Sequence, residues 1–144
     1  MKKTKRKPAK PKTLAYIQDW GTYTNETMVV VGLSHKEILA ALKRLKAAPY
    51  VIEQYDTDTA DHDYSGGYGF VWNAGGRTLL WLEDWKYDAE HLKTLVHETN
   101  HLIYLVLVKN KGFEKEMEAQ AYQQQYLFSA ILKRLNGRFG RGKK

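Results

Sequence analysis

The sequence predicts a small α+β domain: a short mixed or antiparallel sheet followed by two helices, the first of which carries the functional motif. Three observations support this. Residues 14–85 hold β-branched and aromatic runs punctuated by glycine and asparagine, residues 89–136 switch to helical apolar spacing, and 144 residues at 43% apolar composition suit one compact core.

Composition narrows the chemistry before any motif is read. There is no cysteine, so a disulfide framework, a thiolate nucleophile and a cysteine-based zinc site are excluded, and any metal must be held by histidine and carboxylate. The net charge of +7 conceals a segregation. Residues 1–12 carry seven basic groups and residues 133–144 carry six, with no acid in either, whereas residues 13–132 sum to −6. Residues 1–12 therefore read as a disordered basic arm, 13–136 as the folded domain and 137–144 as a basic tail. The arm suits a solubilising tail or a non-specific contact with nucleic acid or an acidic protein, and without interleaved aromatics it has nothing to read bases with. It lacks the apolar stretch of a signal peptide, and no run of about 18 apolar residues offers a membrane span, so a soluble protein away from membranes is expected.

Residues 14–20 and 27–31 read as two strands joined by residues 21–26. Gly32 ends the second, and Ser34 with Glu37 forms a capping box for a helix running to about Ala47, which Pro49 closes. His35, at that helix start, is most simply a surface residue. Residues 50–55 read as a third short strand, and the Asp-rich residues 56–67 as a plain flexible loop, since their spacing does not match a calcium-binding EF-hand. Residues 68–72 and 78–85 flank Asn73-Ala74-Gly75-Gly76-Arg77, a hairpin signal. The second of these strands, next to the motif helix, would make an edge on which an extended peptide could lie. A helix over 89–110 follows, with Asp88 as N-cap and Gly112 as stop, and another over 114–136, ended by Asn136-Gly137.

The first of these two helices contains His97-Glu98-Thr99-Asn100-His101. Residues four apart stack on one helix face, so His97 and His101 can offer two imidazole nitrogens to one ion, with Glu98 beside them. Chance placement of this pattern in such a chain is expected about 0.01 times, which favours a zinc site over two ordinary surface histidines. A catalytic zinc takes three protein ligands and an open position. The metzincin continuation is ruled out because Tyr104 and Leu107 stand where glycine and histidine would be required. The following helix offers Glu114, Glu116 and Glu118 instead, any of which would complete a two-histidine, one-glutamate set. His91 lies off the motif face and is set aside.

The motif at 97–101, followed by Glu118-Ala119-Gln120-Ala121-Tyr122, resembles the gluzincin side of the zincins, and more closely the small metallopeptidase-like proteins encoded by tailed bacteriophages. The resemblance covers about residues 68–132, and Asn100, where many zincins have a small residue, departs from it. It implies a zincin-like domain whose second helix supplies the third ligand, Glu118 ahead of Glu116 and Glu114. It also implies zinc on His97, His101 and Glu118, with Glu98 as general base, and Tyr122 or Tyr126 as a hydroxyl for the oxyanion or, more simply, as core packing. The implied setting is host cytoplasm or phage virion. Two functions follow as expectations. One is a zinc-dependent metallopeptidase that hydrolyses a peptide bond in a peptide or protein substrate. The other is a structural or assembly component of the virion, in neck or tail, that keeps the fold and uses its basic termini to bind DNA or neighbouring virion proteins.

Overall fold

Residues 12–64, 68–74 and 77–140 are described by a computed structural model of the chain. The basic arm expected over 1–12, apart from Lys12, and the last four residues of the basic tail lie outside them, as do residues 65–67 and the two glycines of the predicted hairpin turn.

Four strands form one mixed sheet in the order β1-β2-β4-β3: β1 (Leu14–Trp20), β2 (Tyr23–Val31), β3 (Gly69–Ala74) and β4 (Arg77–Leu82). The pairs β1/β2 and β3/β4 are antiparallel, and β2 runs parallel to β4 with Val29 opposite Leu80. Alternation along the two central strands feeds two cores. On one face Val29, Val31, Leu80 and Leu82 pack with Leu95, Leu102, Leu127 and Ile131; on the other Met28, Val30, Leu79 and Trp81 pack with Ile38, Leu42, Val51 and Tyr55. Helices α1 (His35–Arg44) and α2 (Pro49–Thr59) cover the second face. Helices α3 (Ala89–Ile103) and α4 (Met117–Phe139) cover the first. The polar seam between the two hairpins is closed by side chains: Trp20 Nε1 donates to Thr27 Oγ1 at 2.8 Å, and Thr27 Oγ1 lies 2.7 Å from Thr78 Oγ1.

The α+β class holds among the described residues, and so does the Ser34 capping box. Several elements differ from expectation, for identifiable reasons. The third strand expected at 50–55 is the first half of α2: Pro49 occupies the first turn, where its fixed φ and missing N–H are tolerated, so it starts a helix rather than merely ending one. Val51, Tyr55 and Thr59, four apart, are the buried side of that helix. The acidic loop therefore begins late, and Asp56 to Thr59 are helical, with Asp58 Oδ2 accepting Trp72 Nε1–H at 2.9 Å. The first hairpin is tighter than expected, turning at residues 21–22, where Gly21 takes a φ of +66°. The strand preceding the motif helix is not an edge: β4 is flanked on both sides, and the borders of the sheet are β1 and β3. His35 is no simple surface residue, because its Nδ1 lies 2.8 Å from Tyr64 Oη and its Nε2 2.7 Å from Asp56 Oδ1, with its ring stacked on Tyr55. Finally, Asn136-Gly137 does not stop α4. Asn136 Oδ1 accepts Trp85 Nε1–H at 3.2 Å, Arg138 Nε donates to Thr13 O at 3.0 Å, and the helix runs on to Gly140, whose φ is +87°.

Candidate metal centre

Helix α3 starts where the sequence places it. Asp88, extended at its own φ and ψ, accepts the His91 backbone N–H on its side chain. Leu95, Leu102 and Ile103 bury one stripe against the sheet, which turns Val96, His97, Asn100, His101 and Tyr104 outward. The helical trace continues to Asn110 as expected, yet from Tyr104 onward it is a π-helix, a wider winding in which Val106 and Leu107 are buried.

On the outward face the two histidines meet. Their Nε2 atoms are 3.0 Å apart and the rings stand edge to face at 86°, so one imidazole N–H donates to the lone pair of the other. The His97 side chain is 68% exposed, and an ion can approach it freely. Glu98 differs sharply. It is 5% exposed, with Oε1 at 4.0 Å from His97 Nε2. Burial pushes its pKa above the ordinary carboxylate range, and the charges of His97 and His101 oppose that shift.

Two contacts hold this arrangement, and neither was anticipated from the sequence. Gly69, at the start of β3, leaves room for Glu98: a Cβ there would stand 2.9 Å from Trp81 O and 3.2 Å from Glu98 Cγ. A glycine opening a strand signals such a close approach, but not its partner. Thr99, between the histidines, is fully buried; its hydroxyl donates within the helix and accepts Gln124 Nε2–H from α4 at 2.7 Å. Gln124 thus fastens α4 to the motif turn.

Glu118 lies in the exposed first turn of α4 and is not gathered with the pair; among the described residues no group of three or more histidine, aspartate or glutamate side chains stands at metal-holding spacing. Helix phase explains this. Gln123 and Gln124 face the sheet and α3, and at about 100° per residue Glu118 projects to the far side. Glu116 sits at the N-cap of α4, and Glu114 before it, both exposed. Tyr126 donates its hydroxyl to Asp19 Oδ1 at 2.8 Å and lies against Gly21, while Tyr122 is exposed. His91, set aside from the sequence, is held by Asp84 at 2.8 Å and by Asp88 at 2.6 Å.

Comparison with family models, with curated proteins and with solved structures found no match to this chain.

Proposed function

We propose that the chain is a zinc-dependent peptidase in which His97 and His101 hold the ion, a glutamate of the 114–118 stretch completes the set, and Glu98 is the general base. The observation that carries this reading is the exposed Nε2 pair beside a buried glutamate. A tetrahedral zinc with Zn–N bonds of 2.0–2.1 Å sets its two nitrogens about 3.3 Å apart. The 3.0 Å pair is within a few tenths of an ångström of that bite, so a small outward rotation of either ring suits it.

When bound, zinc lowers the pKa of its water toward neutrality and polarises a carbonyl. The chain's own groups do the rest. His97 and His101 present their Nε2 atoms side by side from one helix face. Glu98 Oε1, kept dry and raised in pKa, suits accepting a proton from the attacking water and returning it to the leaving amine. Gly69 and Gln124 fix Glu98 and the motif turn in place.

Glu118 is our choice of third ligand on the resemblance to the phage-encoded proteins alone; it projects away from α3, so joining His97 and His101 would require the first turn of α4 to reorganise. Elemental analysis after incubation with zinc at neutral pH tests the assignment. About one zinc per chain is expected, lost in His97→Ala and in Glu118→Gln. Retention in Glu118→Gln with loss in Glu116→Gln would move the ligand two residues. No zinc in the unaltered chain would refute the reading.

A further inference from the structure

The outward side of α3 is an exposed stripe. Lys93, Val96, His97, Asn100, His101 and Tyr104 follow one another at helical spacing, and all six are open to solvent. Val96 and Tyr104, apolar and 41% and 57% exposed, flank the histidine pair. Charge on the stripe is balanced, since Lys93 Nζ lies 3.4 Å from Glu90 Oε1. Two copies of such a surface can meet without like charges opposed and with apolar area to bury.

The histidines at its centre are an incomplete ligand set. All five histidines and all sixteen aspartates and glutamates of the chain lie among the described residues, and no three of them stand at metal-holding spacing. Glu98 comes within 4.0 Å of His97 Nε2, but it is buried and walled in by Gly69. Until the first turn of α4 reorganises, a zinc ion on His97 and His101 therefore has two protein ligands, where tetrahedral zinc takes four donors. Water can fill the two remaining places, but imidazole nitrogen suits zinc better.

We propose that a second copy of this chain supplies the missing donors, so that one zinc ion is shared by His97 and His101 of two chains across a two-fold axis. The proposal rests on the assignment of these histidines as zinc ligands and adds a form of regulation to it. A two-fold contact is self-complementary, and one exposed pair per chain is all it needs. Nε2 atoms 3.0 Å apart span one edge of the zinc tetrahedron, and the same edge from the second copy closes it. Four imidazoles leave no open position for water, so the paired form is hydrolytically shut. Zinc in excess separates the pair by mass action, because each chain then takes its own ion.

The test is light scattering of the full chain at neutral pH, with zinc measured on the same fractions. Half an equivalent of zinc should double the mass of the metal-free chain and stay bound at about one ion per two chains. EDTA should restore the single-chain mass, and about a tenfold excess of zinc should restore it with about one ion per chain. His97→Ala should neither bind zinc nor double. Asn100→Arg, which leaves the ligands in place but sets two guanidiniums against each other in the contact, should bind zinc at single-chain mass; melting curves check the fold of both variants. Zinc held at single-chain mass at half an equivalent overturns the pairing and leaves the one-chain site standing. A pair that keeps half a zinc per chain in excess zinc upholds the pairing and refutes the one-chain site. No zinc bound refutes both. Doubling that survives EDTA or His97→Ala overturns the metal bridge, and doubling unchanged in Asn100→Arg overturns the α3 contact.

Discussion

Helix α3 holds histidines in two opposite situations within three turns. His91 is clamped: Asp88 meets its Nδ1 and Asp84 its Nε2, and Trp85 packs edge-on against the ring. Burial works to lower its pKa, but the hydrogen bonds and charges of the two carboxylates more than offset this and hold it above the ordinary histidine range. With each ring nitrogen engaged by a carboxylate, neither faces open solvent as a ligand. His97 and His101, on the same helix, have each other as nitrogen partners and an open face. Carboxylates on both nitrogens make a histidine a structural cation, whereas a second imidazole one turn away leaves a lone pair for an electrophile.

That contrast can be broken in order of size. Glu98→Gln should lower peptide hydrolysis by about 10²–10⁴-fold, the usual worth of a general base. The same change should raise the Tm of the metal-free protein by a few degrees, the scale of about 1 kcal/mol in a chain this size. The sign follows from the raised pKa: the folded state disfavours the carboxylate, so stability is lost as pH rises from the ordinary glutamate range through the folded pKa, and glutamine removes that loss. Calorimetry at pH 7 checks it, and a lower Tm would show that Glu98 is paired rather than stranded. Next comes the split between the histidines. His97→Ala should abolish zinc retention while His91→Ala keeps about one zinc per chain, both read by elemental analysis.

Packing effects are smaller. Gly69→Ala drives a Cβ to 2.9 Å from a backbone oxygen that cannot swing away, and should cost about 1–3 kcal/mol by urea unfolding. Asp88→Ala removes both the α3 cap and one clamp on His91, and should lower the urea midpoint by less than Gly69→Ala does. The smallest effect is on pH dependence. A folded pKa above the unfolded one means the His91 contribution is complete below about pH 6.5 and fades as pH climbs through the raised value. A Tm series from pH 6 to 9 should therefore show a decline that His91→Gln flattens.

What the sequence made legible was local. Asp88, the Ser34 and Glu37 capping box and the stacked histidines follow from rules spanning four residues, and each stands as read. Residues 49–59 misled because Pro49 can end one helix or open another, and the choice was settled by burial of Val51 and Tyr55 against a sheet face that no local window contains. The long-range pairings stayed invisible: Gly69 under Glu98, Gln124 on Thr99, Arg138 on Thr13. Nor did the periodicity show the change of winding at Tyr104, since Val106 and Leu107 suit either winding.

The parallel pairing of β2 with β4 has a kinetic consequence. Each outer hairpin closes locally, but Thr27 and Thr78, directly opposite in the register, are 51 residues apart, and everything between them must be gathered before the sheet is whole. Folding should then be a late docking of two preformed ribbons, with the central seam closing last and slowly for a domain this small. Until it closes, the Met28 and Leu79 faces are bare strand edges, and refolding at high protein concentration is where this chain is most prone to associate with itself.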